Sequence, residues 1–204
     1  MLKILTVPNK TLSTSAKPVG KIDSRIRRLL EKMEALLMIQ DDPPGVGLAA
    51  PQVGVPIRLF IIKATPKAKT EVFINPRIGQ AEMAKGEAAA ARQHESAYLN
   101  LDAAGRKPPV GSDKTGNLSK NSKLEGCLSI PRIWAQVRRQ KTVKLSYLDR
   151  EGKEQTASFG GFKAIIIQHE VDHLEGILFT QRALEQGAQI YEEDGEGKLK
   201  KIDY

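Results

Sequence analysis

At 204 residues, with 40% hydrophobic and 27% charged side chains, the chain has the size and balance of one soluble domain with a substantial core. No apolar run approaches the roughly 20 residues of a membrane span, and Met1–Leu5 lacks the basic-then-apolar stretch of a secretory signal, so a cytoplasmic location without membrane contact is expected. The net charge of +8 attracts polyanions, but 5% aromatic content offers no stacking platform and no motif for binding DNA is present.

Ile22, Ile26, Leu29, Leu30, Met33, Leu36 and Leu37 recur at helical period, which predicts a core-packing helix over 22–37, capped by Asp23 or Ser24 and closed before Pro43-Pro44-Gly45. The small residues of Gly45–Gln52 let a ligand or strand lie against the backbone, and the run lacks the Lys-Ser/Thr of a P-loop. Strand-like runs follow at Ile57–Ile62 and at Glu71–Ile74, the second closed by Asn75-Pro76. Residues 82–123 differ in character: Glu87–Arg92 is alanine-rich and reads as helix, while Gly105–Lys123 has the composition of a loop. Thr142–Leu148 and Glu154–Phe159 flank a Gly-containing turn and predict a β-hairpin. From Phe162 to about Gly176 a second helix is apolar on nearly every face except at Gln168, His169, Glu170, Asp172 and His173; such a helix is buried, so these polar groups need partners. Beyond Gln186 weak alternation around Asp194–Gly197 predicts a small charged hairpin.

His169-Glu170-Val171-Asp172-His173 carries the strongest chemical signal. Positions i and i+4 of a helix stand one above the other, so both imidazoles are able to bind one ion, with Glu170 beside its open coordination site. A chance pattern on a solvated helix is the plain alternative, and the flanks Ala164–Gln168 and Leu174, which make the helix buried, count against it. A mononuclear catalytic centre needs a third protein ligand. His94 sits in the alanine-rich segment, a poor place to fix a ligand. Cys127, the only cysteine, follows a glycine in what reads as a polar turn, Glu125-Gly126-Cys127-Leu128-Ser129. A lone cysteine is more often a small buried hydrophobe, and disulfide pairing within the chain is excluded.

Gly45–Gln52, Glu125–Ser129 and Gln168–Gly176 together resemble the three signature motifs of peptide deformylases, in the same order. The resemblance covers roughly residues 1–80 and 124–180. It implies an α+β fold, with antiparallel sheet strands around a central helix that carries the two histidines. It also implies removal of the N-formyl group from the initiator methionine of nascent polypeptides by a metal-bound hydroxide, releasing formate. Carried over by position, Cys127, His169 and His173 hold one ion per chain, Fe²⁺ first, with Zn²⁺, Ni²⁺ or Co²⁺ as substitutes. Glu170 is the general acid/base, Gln52 and the Leu128 N–H are oxyanion donors, and Gly47 aligns the substrate backbone. Val46, Phe162 and Ile166 receive the methionine side chain, and Glu125 pairs with Arg139.

On this reading residues 1–180 form the catalytic domain with an insertion at about 82–123, and 181–204 a short charged C-terminal extension. Two departures from the family pattern stand out. Trp134 replaces an arginine of some relatives, which alters the rim facing substrate positions after methionine, and 48 residues separate Pro76 from Glu125. The insertion is either a tolerated surface loop or a weak contact with ribosomal RNA through its basic stretch. Two other functions compete with deformylation. An HExxH metallopeptidase usually has His or Glu as its third ligand, which Cys127 argues against; an inactive ribosome-associated relative is disfavoured by intact ligands and Glu170.

Overall fold

The four consecutive residues of Leu59–Ile62 are all buried because the strand they form is covered on both faces. In the computed structural model, which describes residues 2–40, 45–65, 68–79 and 124–203, strand β1 (Gly47–Ala49) pairs antiparallel with β2 (Leu59–Ile62), and β2 with β3 (Glu71–Gly79). Strands β6 (Thr142–Leu148) and β7 (Glu154–Gly160) are the expected hairpin, and β6 pairs with β3, giving a five-stranded antiparallel sheet in the order β1-β2-β3-β6-β7. Because side chains alternate across a strand, Phe60 and Ile62 face one helix while Leu59 and Ile61 face another.

Helix α1 (Ser24–Met38) covers the second of those faces with Leu30, Met33 and Leu37, and Asp23 caps it by accepting from the Arg25 and Ile26 amides. Helix α2 (Gly161–Glu175) covers the first with Phe162, Ala164, Ile166, Ile167 and Leu174. Both lie within a residue or two of their expected bounds. The apolar character of α2 on all sides follows from its place between the sheet and the rest of the molecule.

A second antiparallel sheet has the order β4-β5-β8-β9, from β4 (Leu124–Cys127), β5 (Ile130–Gln136), β8 (Ile190–Glu193) and β9 (Leu199–Ile202). Short helix α3 (Phe179–Glu185) packs Phe179 and Ala183 into the core of this sheet with Cys127, Ile130 and Ile190. The charged tail is thus the expected hairpin, and it is built into this sheet through β8 pairing with β5. The fold is α+β. The segment 82–123, with His94, the helix read at Glu87–Arg92 and the loop read at Gly105–Lys123, lies outside the described residues.

Two local expectations differ from the structure. The strand beginning at Glu71 does not stop at Asn75-Pro76 but runs to Gly79 through an irregularity in its pairing with β6 between Ile74 and Arg77. A bulge absorbs the proline, which has no N–H to give the ladder, and Asn75 takes φ +51 there. Its side chain offsets the cost of that conformation by accepting from the Val19 amide (2.7 Å) and donating to the Val19 carbonyl (2.8 Å). Glu125–Ser129 is likewise a strand followed by a two-residue turn, Leu128-Ser129, rather than a polar turn throughout. Asn75→Ala is expected to lower stability by about 2–4 kcal/mol, since it loses two hydrogen bonds and puts a less tolerant residue at positive φ; urea unfolding reads this directly, and a change below about 0.5 kcal/mol would refute it.

Candidate metal centre

Cys127 is the last residue of β4, and His169 and His173 are one turn apart on α2. The fold brings their ligand atoms within 4.8 Å of one another, with Cys127 Sγ 3.2 Å from His173 Nε2. His169 turns its Nδ1 to Glu125 Oε2 at 3.2 Å, which leaves Nε2 for the cluster. Such an outer partner orients a ligating imidazole and fixes its tautomer.

The donor chemistry fits a divalent cation. Burial opposes a charged thiolate, yet the charge of His173 and the hydrogen bond with His169 outweigh it and hold the Cys127 thiol well below its usual range. Burial likewise opposes a charged His169, and its bonds with Cys127 and Glu125 drive it well above. A metal ion would take over the place of that positive charge, held by the thiolate and by imidazoles that have given up their protons. Thiolate with two imidazoles suits first-row transition metals better than calcium or magnesium.

Glu170, beside His169 on α2, is buried and its Oε2 has no hydrogen-bond partner. Burial is the main reason its carboxyl is pushed up to about 7, with the imidazoles of His169 and His173 opposing the shift. The backbone of β1 closes on this carboxylate: a Cβ at Gly47 would collide with Glu170 Oε1 and meet Ile166 Cγ2 at 3.0 Å. Glycine at 47 is what allows β1 and α2 to come this close.

Gln52 lies in the 3-10 turn Ala50–Val53 after β1. Its Oε1 accepts from the Ala49 amide at 2.8 Å, which turns Nε2 toward Ser129 Oγ (3.1 Å) and Cys127 Sγ (3.6 Å). Leu128 occupies the turn after Cys127. Gln52, Cys127 and Leu128 line an open cleft with Val46, Gly47, Phe162, Ile166, His169 and Glu170. Every residue expected at the site from the sequence borders that cleft except His173, which sits behind Cys127 as a ligand candidate.

Neighbouring side chains hold the site in place: Arg139 is the partner of Glu125 that the resemblance implied, whereas Arg182, Phe179 and Ile165 were missed by motif reading. Arg139 forks onto both oxygens of Glu125 (2.8 and 2.9 Å) and reaches Asp172 Oδ2 with its third nitrogen (2.6 Å). Arg182, on α3, pairs with Asp172 Oδ1 at 2.9 Å, and Phe179 lies against the His169 ring at 6.0 Å. Ile165 adds apolar surface to the cleft. The polarity of Asp172 on a buried helix signalled that a partner exists, but nothing in the spacing named Arg182.

A family model described as polypeptide deformylase matches residues 1–189. The chain belongs to the peptide deformylase family. Peptide deformylase of Rhodopirellula baltica is 34% identical over 208 residues, spanning 100% of this chain and 82% of that protein. That of Rhizobium meliloti is 35% identical over 179 residues, spanning 86% and 81%. Among solved structures, a peptide deformylase from Legionella pneumophila aligns with a TM-score of 0.66 at 31% identity, covering 89% of this chain and 85% of that one. The peptide deformylase from Thermotoga maritima gives 0.64 at 29% identity, covering 89% and 97%. Membership makes the chain a deformylase-type hydrolase. The peptide deformylase family is metal-dependent, and the Cys127–His169–His173 cluster is the set of side chains able to hold an ion among the described residues.

Replacing Cys127 with Ala is expected to abolish both bound metal and turnover, because it removes one of the three candidate ligands. Elemental analysis of anaerobically purified protein tests this, and full metal occupancy in the variant would refute the ligand set.

Proposed function

We propose that the chain removes the N-formyl group from the initiator methionine of nascent polypeptides, with formate and a free amine as products. The observation that carries the reading is the buried, unpartnered carboxylate oxygen of Glu170 beside a thiolate–imidazole cluster, facing an apolar cleft. When bound by Cys127, His169 and His173, one divalent ion per chain, Fe²⁺ first and Zn²⁺, Ni²⁺ or Co²⁺ as substitutes, supplies Lewis acidity and lowers the pKa of water.

The chain's own groups do the rest. Glu170 takes a proton from the attacking water and delivers it to the departing amine nitrogen; a carboxyl held near neutrality suits both transfers. As the formyl oxygen gains charge, Gln52 Nε2 and the Leu128 N–H donate to it, each such donor worth about 3–4 kcal/mol. Gln52 is pre-oriented for this by its Oε1 bond to Ala49, so little reorganisation accompanies the reaction. The Gly47 main chain aligns the peptide, and Val46, Phe162 and Ile166 receive the methionine side chain. The catalytic unit on this reading is residues 1–180, and the cytoplasm is its place of action. No helix among the described residues is long and apolar enough to cross a membrane, and a reducing compartment keeps Cys127 competent as a ligand.

Glu170→Gln is expected to retain metal while losing kcat by about 10²–10⁴-fold, since the amide keeps the shape but accepts no proton. Formate release from formyl-Met peptides against unblocked controls measures it, and an active variant would sink the assignment. Gln52→Leu should cost about 10²–10³-fold, mainly in kcat. A change confined to KM would instead make Gln52 a residue that only binds substrate.

A further inference from the structure

Trp134 is the chain's only tryptophan, 5% exposed on β5, and it lines the cleft. Its benzo ring lies directly over Gly126, where a Cβ would stand 2.8 Å from Cζ3 and 2.9 Å from Cε3. The cleft therefore has an aromatic wall from the second sheet, while Val46, Phe162 and Ile166 come from the β1 side and from α2. Those three residues receive methionine in the proposed function; the indole is the largest apolar side chain in the cleft that this assignment leaves unused.

Packing alone does not set the ring's orientation. Trp134 Nε1 donates to Glu193 Oε2 at 2.6 Å. Glu193 ends β8, whose register against β5 sets Tyr191 opposite Trp134. Arg132 Nε donates to the Glu193 carbonyl at 2.8 Å and fixes the same residue from the other strand. With its one polar atom engaged by Glu193, the indole offers the cleft only apolar atoms.

We propose that Trp134 is a specificity-determining residue that selects an apolar side chain immediately after formyl-methionine, and that Glu193 of the C-terminal hairpin is its positioning residue. The inference rests on the deformylase reading of the same cleft. The charged tail thereby acquires a role in substrate selection, because its hairpin holds one wall of the cleft. An apolar contact of this kind discriminates between substrates by about 10-fold or more.

The test uses full-length, anaerobically metal-loaded protein with formyl-Met-Leu-Ala and formyl-Met-Glu-Ala. The intact chain should prefer the leucine peptide in kcat/KM by about 10-fold or more, with the difference mainly in KM. Trp134→Ala should reduce that preference to about 2–3-fold. Glu193→Ala should shift it several-fold in the same direction, and Glu193→Gln, which keeps an acceptor, should restore most of it. Emission from the single tryptophan gives a readout independent of turnover: it should move to longer wavelength in Glu193→Ala and respond to titration with the product Met-Leu-Ala in the intact chain. If Trp134→Ala fails to fold, the two Glu193 variants carry the test. Formate release with an unchanged leucine-to-glutamate ratio in Glu193→Ala overturns the inference and leaves the deformylase reading standing, even if the emission moves. Absence of formate release from either peptide by the intact, metal-loaded chain is failure of that reading itself.

Discussion

Glu125, Arg139 and Asp172 carry charge into a region from which water is almost excluded, and they are tolerated there only as a set. Removing one member of a buried ion pair typically costs about 3–5 kcal/mol because the other is left uncompensated. Arg139 occupies the junction: its fork closes on Glu125 of β4, and its remaining nitrogen reaches Asp172 of α2. The hairpin that carries Cys127 is thereby fixed against the helix that carries both histidines. The same Glu125 also accepts from His169, so one carboxylate couples strand position to imidazole orientation. Arg182 satisfies the second oxygen of Asp172 and ties α3 into the arrangement.

Close approach of backbone is the second constraint. Gly47 lets β1 reach the Glu170 carboxylate, and Gly126 lets β4 lie beneath the Trp134 ring. The N-terminal segment stitches these parts together: the Leu5 amide donates to the Gln52 carbonyl at 2.8 Å and the Val7 amide to the Ser129 carbonyl at 3.1 Å. Gln52 and Ser129 in turn meet through their side chains. A site held by main-chain bonds, side-chain bonds and a buried charge network is pre-organised, which is what electrostatic stabilisation of a developing charge requires.

The apolar envelope contributes differently from the charged one. Phe162 and Ile166 belong to the core between α2 and the first sheet, yet they also line the cleft. A pocket cut from core residues is rigid for the same reason the core is: its side chains are close-packed on the far side. The second sheet supplies the opposing wall, and its outer hairpin, β8–β9, reaches back to it through Glu193.

The amino-acid sequence by itself determined the elements whose periodicity is strong and the candidate ligands whose spacing is local. The stripe from Ile22 to Leu37, the hairpin around Asp149–Lys153 and the i, i+4 histidines are all decided within a few residues of chain, and α1, β6–β7 and α2 stand where that logic puts them. Three separated motifs in order carried the family, and with it the pairing of Glu125 with Arg139. Only the tertiary structure decided that the strand at Glu71 passes through Asn75-Pro76, because the Val19 backbone that supports Asn75 lies 56 residues away. It alone joined Arg182 to Asp172 and Glu193 to Trp134, since such partners meet across elements with no fixed separation in sequence. Local patterns record what a residue does to its own helix or strand; which distant charge or amide completes it is set by how the elements pack.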